Sequence, residues 1–162
     1  MIATLSLPDA MKRLLEEKEK MANTPAYEDD NIFAKILRGD LPATTVFEDD
    51  HCIVIMDVMP VADGHCLIIP KRPSRNLIDA DPGVLSHLIK VVQRMAKAAK
   101  TAFDADGIRV MQFNESAAGQ SVFHLHFHVI PMHEGTELRP HAAQMADADL
   151  LKDHAEKLKA VL

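Results

Sequence analysis

The chain has 162 residues, 48% hydrophobic and 26% charged, with a formal charge of −6, which is enough for one domain with its own core and too little for two. This composition excludes disorder of the chain as a whole, and the acidic balance argues against a protein whose main work is coating nucleic acid phosphates. No apolar run approaches the roughly 18 to 20 residues that cross a bilayer, because the richest, 84–103, is interrupted by Ser86, His87, Lys90, Gln93, Arg94, Lys97 and Lys100.

The first segment turns charged after about eleven residues and has neither a basic lead nor a sustained apolar stretch, so the expectation is no secretory signal and a cytoplasmic location. Ser6, Pro8 and Asp9 read as the start of a short helix carrying Met11, Leu14 and Leu15, and the turn-rich Asn23, Thr24 and Pro25 read as a linker. Met21 offers a second possible start, which would make the first twenty residues an extension. From Asn31 the pattern becomes domain-like: Ile32, Phe33, Ile36 and Leu37 fall at helical spacing before Gly39 and Asp40.

Thr44 to Glu48 and Cys52 to Asp57 are apolar, β-branched runs split by Asp49 and Asp50, which predicts a hairpin. His65 to Ile69, between Gly64 and Pro70, predicts a third antiparallel strand. Cys52 and Cys66 are the only cysteines and lie inside these apolar runs, so they read as small buried hydrophobes in a reducing compartment. Asp81 and Pro82 open a helix of about 20 residues with an apolar stripe from Leu85 to Phe103. Ile108 to Phe113 predicts a fourth strand, Asn114 to Gln120 a loop, and Leu150, Leu151, Ala155, Leu158 and Leu162 a terminal helix packed on the domain or on a partner.

The segment Ser121 to Ile130, SVFHLHFHVI, is where chemistry concentrates: His124, His126 and His128 alternate strictly with apolar residues. On a strand this spacing places all three imidazoles on one face, about 7 Å apart, with Phe123, Leu125, Phe127 and Val129 on the other. One reading is a metal site, since imidazole is a common zinc ligand; against it, no carboxylate lies nearby until Glu134 and the cysteines have no metal-ligand spacing. The other reading is nucleophilic catalysis at phosphorus, one imidazole attacking while its neighbours position the phosphate. Gly119, Gln120, Ser121 and Val122 would supply backbone N–H groups and polar side chains above the histidines. No Lys or Arg lies between Asn114 and Met132, so charge there would be met by imidazolium, amides and neutral donors.

These residues resemble the histidine triad family, whose signature is three His alternating with hydrophobic residues. The resemblance extends over roughly 100 residues through NIFAKILRGDLPA, VFEDDHCIVIMDVMP and GHCLIIPKR, in the family's order. It implies an α+β, HIT-like fold: a five-stranded antiparallel sheet, one long helix and short terminal helices, with the sheet extended across a homodimer. The expected organisation is an extension and linker over 1–30, the domain over 31–132, and a tail with a helix over 133–162.

For activity, the resemblance implies a hydrolase or transferase that cleaves the α-phosphate bond of purine nucleoside monophosphate conjugates, such as phosphoramidates or acyl-adenylates, through a nucleotidyl-histidine. The alternatives are a dinucleoside polyphosphate hydrolase of the same family and a non-catalytic nucleotide-binding dimer. By the resemblance, His126 is the nucleophile, His128 contacts phosphate and helps protonate the leaving group, and His124 with its backbone fixes the nucleophile's tautomer. Asn114, Gln120, Ser121 and the Val122 backbone match phosphate and leaving-group contacts, and Asp57 matches a ribose-binding acid. Val58, Ile32, Phe33, Ile36 and Ile55 match a base pocket or else serve as core, and His65 is either a further site histidine or a structural surface residue. Zinc-binding members carry a Cys pair where this chain has Asn31 and Ala34, so no metal and no cofactor is expected, nor any nucleic acid or membrane partner. The ending Ile130, Pro131, Met132 differs from the Gly-Gly of the nucleoside phosphoramidase branch.

Overall fold

The computed structural model describes residues 6–22, 25–140 and 144–162, with the side chains of 17–22 left aside. Asn23 and Thr24, the centre of the expected linker, lie outside the described residues.

Helix α1, Leu7–Ala22, starts where predicted: the Ser6 hydroxyl accepts from the Asp9 N–H and donates to the Asp9 carboxylate. Its apolar residues Leu7, Met11, Leu14 and Leu15 are all exposed. Helix α2, Ile32–Arg38, is capped by the Asn31 side chain, which accepts from the Ala34 N–H, and ends at Gly39 in the left-handed region.

The sheet comprises β1 Thr45–Glu48, β2 Cys52–Met56, β3 Cys66–Pro70, β4 Gly107–Met111 and β5 Phe127–Met132, in the order β1-β2-β3-β5-β4 with every pair antiparallel. Helix α3, Pro82–Ala102, joins β3 to β4, with Asp81 accepting from the N–H groups of Gly83 and Val84 as the predicted cap. Helix α4, Ala148–Lys159, closes the chain behind its Asp147 cap.

Period two in the strands divides the apolar residues between two faces. Val54, Met56, Cys66, Ile68, Phe127 and Val129 pack beneath Leu88, Val92, Met95 and Ala99 of α3, with Leu151, Ala155 and Leu158 of α4 completing that core. The terminal helix therefore packs on its own domain. Ile53, Ile55, Leu67 and Ile69 face the other way and form a smaller cluster with Phe33 of α2. Both cysteine thiols are free and buried, and burial pushes each up to about 12, so they behave as small core hydrophobes. No helix among the described residues is long and apolar enough to cross a membrane.

One expectation needs correction: the three histidines do not share one strand. The ladder begins at Phe127, and His124 and His126 precede it in irregular backbone. The pairing Ile68↔Phe127 would bring Pro70 opposite Leu125, and proline has no N–H to give a ladder. The local backbone groups take other partners: the Leu125 N–H donates to the Ser74 carbonyl, and the Pro70 carbonyl accepts from the His124 ring. Leu125, Phe127 and Val129 do bury on the helix side, whereas Phe123 lies under the Arg75 guanidinium, 3.9 Å from ring centroid to Cζ.

Candidate active site

Four pieces of chain meet beside the start of β5: α2, the loop 57–65 between β2 and β3, the loop 112–122 after β4, and the segment 124–128. The loop after β4 is held by a buried polar network. Arg75 donates to both carboxylate oxygens of Glu115 at 2.8 and 2.9 Å, and Asn76 donates to the same carboxylate. This bidentate grip holds Glu115 at φ +67, a conformation that costs a non-glycine residue about 1–3 kcal/mol and persists only where its surroundings enforce it. The buried Gln120 amide accepts from the Glu115 N–H and donates to the carbonyls of Arg75 and Val122, so its side chain is engaged within the loop. Asn114 is bonded reciprocally to Gln112 and accepts from the Leu77 N–H.

Hydrogen-bond partners assign the histidine tautomers. The His126 Nδ1 donates to the His124 carbonyl oxygen at 2.6 Å, which leaves Nε2 as the basic nitrogen of a neutral ring. His124 donates from Nε2 to the Pro70 carbonyl at 2.9 Å, so its Nδ1 accepts from the Tyr27 hydroxyl at 2.7 Å. Burial holds the His124 imidazole below its ordinary pKa, in keeping with a neutral ring. The Val61 N–H points at His65 Nδ1, and His65 Nε2 lies 2.9 Å from His128 Nδ1, which places the shared hydrogen on His65. Asp57 lies 3.5 Å from the same His65 Nδ1 and accepts from the Met59 N–H. His65 is 1% exposed, which removes the surface role weighed for it. Phe33 stands edge-on to His126, with ring centroids 4.9 Å apart.

His126 and His128 lie where two hollows meet. One, of about 310 Å³, brings together Ile32, Phe33, Ile36, Ile55, Asp57 and Val58 with Ser121, Val122, His126 and His128. Thus every residue matched to a base or ribose pocket lines one apolar space against the histidines. The second, of about 290 Å³, is lined by His65, Phe113, Gly119, Gln120, Ser121, His126 and His128. Asn114 borders neither and braces the loop from behind.

Sequence reasoning missed several residues that the fold brings in. Met145 lines the apolar hollow, and Leu138 and Arg139 line the second. The tail reaches there because the Arg139 N–H donates to the Val61 carbonyl, its guanidinium pairs with Asp63 at 2.8 Å, and the Ala146 N–H donates to the Val58 carbonyl. Tyr27 reaches His124 from a position before the expected domain start. The tail lacks any periodic pattern over this stretch; for Tyr27 the one available signal was its being the only tyrosine.

Two groups among the described residues bring three potential ligand atoms within 4.8 Å: Asp57, His65 and His128, and Asp49, Cys52 and His87. The place of the Cys pair in zinc-binding members is occupied otherwise. Asn31 caps α2 and donates to Glu28 and Tyr27, and Ala34 offers no ligand atom, so these residues do not fit a zinc ion.

A five-stranded antiparallel sheet with an imidazole cluster between an apolar hollow and a polar loop defines an α+β protein of the histidine-cluster type. The HIT domain profile matches residues 38–135, and the chain belongs to that family. It is 37% identical over 100 residues to "Protein hit" of Bacillus subtilis, covering 62% of this chain and 69% of that one. It is also 37% identical over 107 residues to an adenylylsulfatase of Arabidopsis thaliana, covering 66% of this chain but 54% of that protein. Among solved structures, a Hit-like protein involved in cell-cycle regulation from Bartonella henselae superposes with TM-score 0.82 at 53% identity, covering 85% of this chain and all (100%) of that one. A zinc-bound histidine triad family protein from Mycobacterium smegmatis superposes at 0.72 with 34% identity, covering 82% and 92% of the two chains.

Proposed function

We propose that the protein is a nucleotide hydrolase or transferase that cleaves purine nucleoside monophosphate conjugates at the α-phosphorus through a nucleotidyl-His126 intermediate. The observation that carries this reading is the 2.6 Å bond from His126 Nδ1–H to the His124 carbonyl, which leaves Nε2 the basic nitrogen beside both hollows. In the first step the Nε2 lone pair forms the N–P bond while the bond from phosphorus to the leaving group breaks and its electron pair departs with that group. A proton reaches the leaving group through His128, which is linked to His65 and Asp57. In the second step water attacks the same phosphorus and gives one proton back to His128, while the N–P bond breaks and returns its electron pair to His126.

The apolar hollow suits a purine, with Asp57 at its edge to accept from ribose hydroxyls. Ser121 and the backbone of 119–122 would stabilise charge on the phosphate oxygens. The Arabidopsis relative is named for adenylyl sulfate, a conjugate of the class proposed here. No step as written calls for a metal. The domain proper is placed at 31–132, and the protein is expected to act in the cytoplasm as a homodimer. Val110 on the edge strand β4 is 44% exposed, as suits a sheet continued by a second copy.

Arg139 at the second hollow favours a phosphorylated leaving group as a second reading, hence a dinucleoside polyphosphate substrate. Under it, Arg139→Ala weakens kcat/KM for a diadenosine polyphosphate more than for adenosine phosphoramidate.

The test of the main reading is intact-mass spectrometry after seconds with adenosine phosphoramidate, quenched without acid so that the N–P bond survives. A gain of one adenylyl group that disappears in His126→Ala supports it. No adduct together with no released AMP overturns it in favour of a nucleotide-binding scaffold.

A further inference from the structure

Tyr27 lies before α2, half-buried, and its hydroxyl sits 2.7 Å from Nδ1 of the fully buried His124. The ring contact alone, edge to face at 5.5 Å between centroids, would be ordinary packing. The hydroxyl is directed. His124 Nε2 donates to the Pro70 carbonyl, so a neutral ring has only an acceptor left at Nδ1, and the tyrosine must donate. The Tyr27 oxygen in turn accepts from Asn31 Nδ2 at 3.0 Å, while Asn31 Oδ1 caps α2 and Nδ2 also donates to the Glu28 carbonyl.

The result is a chain of directed bonds: Asn31 amide to Tyr27 hydroxyl, Tyr27 hydroxyl to His124 Nδ1, His124 Nε2–H to Pro70. Both ring nitrogens of His124 are thereby fixed, and its main-chain carbonyl is the group that accepts from His126 Nδ1. Because His124 lies in irregular backbone ahead of β5, no sheet ladder holds that carbonyl in place. The Leu125 N–H of the same peptide unit, bonded to the Ser74 carbonyl at 2.8 Å, anchors one side of it, and the His124 side chain anchors the other.

We propose that Tyr27 is a positioning residue of the active site: its hydroxyl, anchored by Asn31, locks the His124 ring and thereby the carbonyl that orients His126. The segment before the family domain is then part of the catalytic apparatus. This inference rests on the assignment of His126 as nucleophile. It predicts that removing one hydroxyl, on a residue that lines neither hollow, slows the chemical step without weakening substrate binding.

The experiment compares the full chain with Tyr27→Phe, which keeps the ring contact, and Asn31→Ser, which keeps a helix cap but loses the amide donor. Thermal melts confirm folding. Steady-state kinetics on adenosine phosphoramidate are read beside ¹⁵N NMR of the histidine rings. For Tyr27→Phe, kcat is expected to fall about tenfold, the lower end for loss of a bond that orients a functional imidazole. KM stays unchanged, and the His124 Nδ1 resonance leaves the range of a hydrogen-bonded, unprotonated nitrogen. Asn31→Ser moves both in the same direction by less.

An unchanged kcat in Tyr27→Phe, with or without a change at His124, overturns the proposal, as does a fall in kcat with the His124 resonances unaltered. Full turnover by His126→Ala would instead overturn the assignment of the nucleophile, and this inference with it. The two failures are therefore told apart by which variant keeps its activity.

Discussion

His126 Nδ1 lies 2.6 Å from the main-chain oxygen of His124, so a carbonyl two residues earlier in the same chain decides which imidazole nitrogen is basic. His126→Gln keeps a polar side chain of similar reach but has no nucleophilic nitrogen. Turnover is expected to fall at least about a thousandfold, as when a nucleophile is removed and binding is left intact. The check is single-turnover kinetics beside a binding titration with AMP, whose affinity should stay near that of the unaltered protein.

In the proposed mechanism, His65 acts on the reaction through His128. Its Nε2 holds the hydrogen shared with His128 Nδ1 at 2.9 Å, and Asp57 stands 3.5 Å from its Nδ1. If this chain delivers the leaving-group proton, its loss matters most where the leaving group needs one. His65→Gln should therefore slow an adenosine phosphoramidate by about tenfold or more and scarcely affect a nitrophenyl ester of AMP, whose leaving group departs as the anion. Equal slowing of both substrates would count against the relay.

Gly64 has φ +77, and a Cβ there would collide with the Phe103 ring. Phe103 in turn packs edge-on to His154 at 5.2 Å, and the Gly64 N–H points at His154 Nδ1. Gly64→Ala thus combines backbone strain with overpacking at the seam of α3, α4 and the site loop, at a cost of about 2–3 kcal/mol. A urea titration should show the midpoint fall by the corresponding amount.

Stability should decline in two stages on acidification. Burial holds both His124 and His154 below their ordinary pKa, so the unfolded chain binds protons there that the folded chain refuses. Their contribution is full above about pH 6.5 and declines as pH falls below it. Asp49 acts lower. Burial works to raise its pKa, but the N–H groups of His51 and Cys52, with His87, outweigh that and bring it down to about 2. Its contribution of about 2 kcal/mol is present above pH 4 and lost as pH falls toward 2. Denaturant melts at pH 7.5, 5.5 and 3 should resolve the stages, and His154→Gln should flatten the first.

The elements were largely legible because each rests on local chemistry. Asp81 with Pro82 marks the start of α3, Asp49 closes the β1–β2 turn through its own side chain, and period-two apolar runs define strands whichever fold they enter. The histidine motif likewise announced a candidate site from spacing alone. Its geometry did not follow from that spacing, since regular alternation implies a strand only where a neighbour can complete the ladder. Pro70 stands opposite and cannot.

What the sequence by itself determined was the order of strands and helices, the apolar stripes and the identity of the imidazoles, because these depend on neighbours within a few residues. Tertiary structure alone decided the tautomers and the partners: Tyr27 on His124, His65 on His128, and Met145 and Arg139 brought back by a tail without a pattern. Those contacts span up to 97 residues of chain. They arise only when the folded backbone offers a buried donor and acceptor that must find each other, a constraint that no local periodicity encodes.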